Sequence, residues 1–251
     1  MMIQYINQYP ENETFDYAKR LRLLRERKLA QTAEKVEKEG GLNEDDYGRV
    51  VAPDYFKFKI VPNNPDGHFY GYSGWTENFT KLLAEHPLYV DPIDAFVGRG
   101  FFFLIRLRGM TGDPSNPYPW NPAYPFDDLK VLFERYNIIC GIGRDHHFNP
   151  DIKMGLELGW DGILRNLEHY RAQNETREFY DSEIAVVKAI INFLHRISYQ
   201  LAEFALIERN PVLKKNLEEM ADINFRMADG VPATMREAIQ WMCHFSMLSR
   251  L

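Results

Sequence analysis

Cysteine is scarce in this chain: Cys140 and Cys243 are the two among 251 residues. That number excludes a disulfide framework and any cysteine cluster able to hold an iron-sulfur centre, and it suits a reducing compartment. Both read as small interior hydrophobes unless a neighbour activates them. Long apolar runs are missing too. Phe101-Phe102-Phe103-Leu104-Ile105 is the strongest, and Arg106 ends it far short of the ~20 residues a membrane helix needs. The opening Met1-Met2-Ile3-Gln4-Tyr5 lacks the charged region, apolar core and cleavage site of a signal peptide, so the cytoplasm is the expected location. An excess of positive charge is also lacking. Thirty Lys and Arg against 36 Asp and Glu leave a net charge of -6, the opposite of a phosphate-binding footprint, so no nucleic-acid partner is expected. Gly98-x-Gly100 and Gly141-x-Gly143 lack the third glycine and following acid of a dinucleotide site, and no Gly-x-Ser-x-Gly elbow occurs.

What is present is an ordinary globular composition, 45% hydrophobic and 26% charged, enough for one large domain or two small ones. Two textures divide it near residue 126. The first part opens on a helix expected over residues 14 to 39, with Phe15, Ala18, Leu21, Leu24, Leu29 and Ala33 on its apolar face. The period is then lost among prolines, glycines and many aromatics, from Phe56 and Phe58 through Phe69, Tyr72 and Trp75 to Trp120 and Tyr124. Solvated loops rarely keep so much apolar area, so these loops are expected to lie against a helical body. Short strands are expected at residues 55–61 and 101–107. The acidic run Asn43-Glu44-Asp45-Asp46 reads as a solvated turn.

The second part, residues 127–251, is helical in pattern: 126–136, 150–172, 178–209, 211–227, and 234 onward. The third of these carries Ile184, Val187, Ile191, Leu194, Ile197, Leu201, Phe204 and Ile207 at alternating spacings of three and four. Pro211 stands at a first helical turn, where its missing N–H costs nothing. Thr234 and Glu237 form the pattern of a capping box. The last helix reaches Leu251 without a capping Gly, Asn or Pro, and the expectation is that more chain once followed. No internal repeat is seen.

Gly143-x-x-x-His147-x-x-Pro150-Asp151, followed by Gly159-x-x-Gly162-Ile163, resembles the histidine segment in the N-terminal region of glycyl radical enzymes, the pyruvate formate-lyase-like superfamily. Phe179-Tyr180, Arg209-Asn210-Pro211, Leu217-Glu218-Glu219-Met220-Ala221 and Pro232-x-Thr234-x-x-Glu237-Ala238-x-Gln240 follow in the order that family shows. Pro87-Leu88-Tyr89-Val90-Asp91 and residues 93–98 are similar to its short upstream segment. The resemblance covers about residues 85–251; residues 1–84 match loosely, as an arginine-rich opening helix.

The resemblance implies a mainly α chain with a few short strands, the N-terminal part of an α/β ten-stranded barrel and one partial domain over residues 1–251. It implies acyltransferase, dehydratase or lyase chemistry in which a glycyl radical takes hydrogen from a cysteine whose thiyl radical attacks substrate. It also implies a radical-installing activase that uses an iron-sulfur cluster and S-adenosylmethionine. The sequence departs from the family here: it holds neither a Gly-Cys-x-Glu segment nor an Arg-Val-x-Gly-Tyr stretch. The expectation is a piece inactive alone that binds no cofactor itself. Its partners would be the remaining C-terminal part or a second chain, the activase and a homo-oligomeric copy. His147 matches the family histidine near the substrate hydroxyl, where an imidazole moves a proton near neutral pH. His146 is the neighbour in an adjacent register, and Asp145 could orient either ring or merely cap the next element.

Other readings of these residues stand beside that one. Both imidazoles could be structural, one at a helix N-terminus and one in water. A metal site is disfavoured, because adjacent histidines point in different directions and no third ligand stands at helical spacing. His195 and His244 lie on apolar helices and read as core or partner-facing residues. A stand-alone helical binding protein is the alternative for the whole chain. A fragment should expose a wide apolar face where the rest of its enzyme docks, whereas a stand-alone domain should not.

Overall fold

The computed structural model describes residues 3–39, 50, 53–65, 67–69, 71–98, 135–136 and 150–249, and the statements below concern these. In chain order the elements are β1 (Ile3–Tyr5), α1 (Tyr17–Glu39), α2 (Gly71–Glu85), β2 (Leu88–Val90), α3 (Ile152–Gln173), α4 (Arg177–Ile207), α5 (Pro211–Asp229) and α6 (Met235–Leu248). At the centre stands the antiparallel pair α4 and α5. On α4 the three-and-four spacing buries Val187, Ile190, Leu194, Ile197 and Leu201, and on α5 it buries Leu213, Leu217, Met220 and Met227. Helices α2 and α3 pack on α4, and α6 closes against α5 and α3. The main core runs from Phe69, Phe79 and Leu82 through Phe193 and Leu201 to Trp160 and Trp241, with a small separate cluster of Phe15, Ile93 and Leu213.

Helix α5 starts where the sequence says it should, with Asn210 as N-cap and Pro211 in the first turn. The Asn210 Oδ1 accepts from the N–H of Val212 at 3.1 Å and Leu213 at 3.3 Å. Its Nδ2 donates to the carbonyls of Pro10, Glu11 and Glu13, at 2.8–3.1 Å. This enclosed amide therefore caps a helix and holds the N-terminal segment at once. Beside it, β1 pairs in parallel with β2 in the register Ile3 to Leu88 and Tyr5 to Val90. Tyr5 stacks on Phe204, with ring centroids 4.3 Å apart, and donates its hydroxyl to the buried Glu208.

Several expectations need correction. Helix α1 forms, from Tyr17, but only part of the expected face meets the body: Phe15 just before it and Leu24 pack inward, whereas Leu21 and Leu29 are exposed and the inward side also carries Arg20, Arg27, Gln31 and Lys35. That face docks through hydrogen bonds, which apolar periodicity does not register. Residues 55–61 form no strand. Phe56 and Phe58 do alternate inward with exposed Lys57 and Lys59, yet the edge is closed by a side chain: Asn78 accepts from Val61 N at 2.8 Å and donates to Val61 O at 2.9 Å. Helix α2 arises inside the stretch read as loops. Of the loop aromatics, Phe56, Phe58 and Phe69 lie in the core, whereas Tyr72 and Trp75 face solvent. The expected strand at 101–107 lies outside the described residues. So does the expected helix at 126–136, except for helical Arg135 and Tyr136. Among the described residues no helix is long and apolar enough to cross a membrane.

Candidate functional site

The segment after β2, residues 91–98, is irregular, and its backbone groups must find partners outside regular structure. Side chains of three helices supply them. From α1, Arg20 donates to Ile93 O at 3.1 and 2.8 Å. From α5, Asn216 Nδ2 donates to Pro92 O and Asp94 O at 2.8 and 2.7 Å. From α6, Gln240 accepts from Val97 N and donates to Val97 O, both at 2.9 Å, and so acts as a one-residue strand. Arg236 of the same helix reaches Ala95 O at 3.3 Å.

The root of this segment is Asp91, whose carboxylate is enclosed. It accepts from Tyr9 Oη at 3.0 Å and Ile93 N at 3.2 Å, and it pairs with Arg27 Nε at 3.2 Å. Burial first, then the Asp91 charge, pushes the Tyr9 phenol well above its ordinary range, so Tyr9 acts as a fixed donor. Arg27→Met is expected to deprive the enclosed carboxylate of its guanidinium. The loss should be about 2 kcal/mol, below the full cost of a broken buried pair because Arg27 is partly exposed. Arg27→Lys should recover part of that loss, read as urea midpoints on the two variants.

On the other side of α6 lies α3, which begins with Asp151 accepting from Met154 N at 2.9 Å. Two glycines let α3 approach closely. A Cβ on Gly155 would fall inside the Trp241 indole, and one on Gly159 would strike the Gly230 carbonyl oxygen. Gly159 also sits at φ 62° and kinks the helix, a conformation side chains rarely adopt. Trp160 and Trp241 stack at 5.1 Å beside this kink.

The turn that Gly159 meets is fixed from its far end. Thr234 Oγ1 accepts from Glu237 N at 3.2 Å, and Glu237 Oε2 accepts from Thr234 N and Ala233 N at 2.9 and 2.8 Å, the expected capping box with one bond added. Arg226 of α5 pairs with the other carboxylate oxygen at 2.8 Å. Burial pushes the Glu237 carboxyl up, but the Ala233 and Thr234 N–H groups and the Arg226 guanidinium outweigh it and hold the group below the usual carboxylate range. Glu237, Gln240 and His244 thus form a polar inner face on α6. His244 Nε2 lies 2.7 Å from Asn224 Oδ1, and Asn224 Nδ2 donates to Met220 O. The Asn224 oxygen is therefore the acceptor, so the imidazole proton resides on Nε2.

The expected site residues Asp145, His146 and His147, like Cys140, lie outside the described residues. What is described is the frame on either side of them: residues 91–98 held by α6 before, and α3 held by α6 after. Cys243 is half-buried, and burial pushes its thiol up, away from a reactive thiolate. His244 is core, as expected, and His195 pairs with Asp229 at 3.0 Å. Among the described residues no group of three His, Cys, Asp or Glu side chains is arranged around a cation. Asn216, Asn224, Gln240 and Asp91 were missed by sequence reasoning. The available signal was polar residues within otherwise apolar faces, as with Asn216 and Asn224 on either side of Met220.

The fold is similar to one part of two larger solved structures. It matches a B12-independent glycerol dehydratase from Clostridium butyricum in its glycerol-bound form, with a TM-score of 0.56 at 13% identity over 95% of this chain and 34% of that one. It also matches a glycyl radical enzyme from Archaeoglobus fulgidus, with a TM-score of 0.54 at 14% identity over 91% of this chain and 33% of that one. The chain spans about a third of the length of both. No curated protein matches it. Residues 140–251 match the pyruvate formate lyase-like family model.

Proposed function

We propose that this chain is the N-terminal portion of a glycyl radical enzyme, inactive until joined by the part that carries the thiyl cysteine and radical glycine. The observation that carries the reading is the pairing of the family match at 140–251 with a fold that covers nearly all of this chain but a third of its structural relatives. Residues 1–126 contribute the opening helix and aromatic loops of the partial domain, and residues 127–251 its helical body. Exposed Leu206, Ile207, Val212 and Phe225 on the α4–α5 pair support the reading, as apolar area that a further body would cover.

In this reading α6 holds both ends of the segment between residues 98 and 150. His147 then exchanges a proton with a substrate hydroxyl, or His146 in the adjacent register, with Asp145 orienting the ring. The radical itself comes from an activase with an iron-sulfur cluster and S-adenosylmethionine. The reaction class is lyase or acyl transfer, and the glycerol dehydratase likeness favours dehydration of a diol.

Sequencing the DNA beyond the Leu251 codon identifies the complementary coding region. Anaerobic mixing of its product with this chain, the activase and S-adenosylmethionine should give a glycyl radical signal and turnover only when both chains are present. His147→Ala should lower turnover by about 100-fold with the radical signal intact. Equal turnover without this chain would refute the proposal.

A further inference from the structure

The outer side of α1 carries a local surplus of positive charge in a chain whose net charge is -6. Arg22, Arg25 and Lys28 are exposed there, with Glu26 as the acid among them. Among the described residues, none of these three cationic side chains has an ion-pair or hydrogen-bond partner. Leu21 and Leu29 flank them, and Leu29 is 60% exposed. These leucines cannot turn inward, because Arg20, Arg27 and Gln31 already bind the other side of the helix to Ile93, Asp91 and Tyr89. Helix α1 is thus anchored on one side and presents apolar and cationic groups on the other.

A surface of opposite charge lies between α4 and α5. A groove of about 420 Å³ runs there, lined by Ala202, Ala205 and Ala221, with Leu206 and Phe225 beside them. The alanines place no long side chain in the way of a third helix, and Ser198 Oγ donates to Ala221 O at 2.8 Å, which keeps the pair close. Leu206 is 79% exposed, and with Phe225 it forms apolar area open to a partner. Both charged residues on the lining are acids, Glu218 and Asp222. Asp222 pairs with Arg226, whereas Glu218 has no partner among the described residues. The lengths agree as well: Ser198 to Leu206 covers about 12 Å of α4, the same rise that separates Leu21 from Leu29 on α1.

We propose that α1 of one copy of this chain docks in the α4–α5 groove of a second copy, its leucines against Leu206 and Phe225 and its arginines facing Glu218. Opposite charge sets the pairing and the leucines fill the groove. Each copy carries both surfaces, so a two-fold arrangement satisfies both at once and closes at two chains. The proposal does not rest on the enzymatic reading, and Ile207 and Val212, outside the groove, stay open to a further body. Sedimentation velocity on the 251-residue chain alone should show the mass moving from one chain to two between roughly 5 and 500 µM. Raising the salt from about 0.05 to 0.5 M should weaken that association. A chain with Arg22→Glu and Arg25→Glu, and a separate chain with Glu218→Arg, should each weaken it about tenfold or more. All three positions are exposed, and far-ultraviolet circular dichroism should show both variants folded. Mixed together, the two variants should regain the dimer, because each altered surface then meets one of opposite charge. A single-chain mass at every concentration, a dimer indifferent to both variants, or a mixture no better associated than either variant alone would overturn the proposal.

Discussion

Alanine at position 159 is expected to lower the unfolding free energy by about 3 kcal/mol. Roughly 1–2 kcal/mol comes from placing a side chain at positive φ, and the rest from forcing its Cβ against backbone that cannot yield as a flexible side chain would. The struck atom is the Gly230 carbonyl oxygen, held in a turn that the Glu237 carboxylate ties down at Ala233 and Thr234. Relief therefore requires α3 to move away from α6, which would separate the stacked Trp160 and Trp241. Near-ultraviolet circular dichroism should lose indole signal along with the lowered urea midpoint. A variant with the parent midpoint and spectrum would mean that the kink is not a fixed point of the structure.

A second large effect is expected in acid. His244 is fully enclosed, and burial pulls its imidazole down to about 3 from an ordinary value near 6.5. Between those values the unfolded chain takes up a proton that the folded chain refuses, so stability rises with pH across the interval. The contribution is complete above pH ~6.5 and falls by about 1.4 kcal/mol per unit below it, reaching a loss of about 3 kcal/mol near pH 4. Glu237 acts in the same direction, since its folded value is depressed, but only below the ordinary Glu value of 4.5. Between pH 6.5 and 4.5 the imidazole is opposed by Glu183, whose carboxyl burial pushes up, so the His244 part is the difference that a variant removes. H244Q should flatten that slope, and an unchanged slope would move the effect to another group.

The elements that could be read from the sequence are those whose apolar spacing and caps agree. Helices α4 and α5 came out within two residues at each end, with Asn210, Pro211 and the Thr234–Glu237 box in their expected roles. The misreadings share a cause, which is that polar side chains take over work normally done by apolar faces or strands. On α1, Arg20, Arg27 and Gln31 make contacts beside Leu24, the last donating to Tyr89 Oη at 2.8 Å, so Leu21 and Leu29 pointed the wrong way. Asn78 stands in for a strand beside residue 61, and Gln240 does the same beside Val97. Helix α2 was hidden because Gly71 and Gly74 occupy its first turn and Tyr72 and Trp75 are solvent-facing, which together look like punctuated loop. The capping box of the candidate site was legible, whereas its buried amides show only as polar residues set within apolar helix faces.

Asn210 has one further consequence, for the order in which the protein is made. Its amide reaches Glu13 across 197 residues of chain, and β1 closes on β2 only after residue 88 exists. Helix α4, by contrast, meets α5 through a turn of three residues, a contact that closes with little loss of chain entropy. A ribosome releases residues 10–13 some two hundred residues before Asn210, so this segment is made well before it can be fastened.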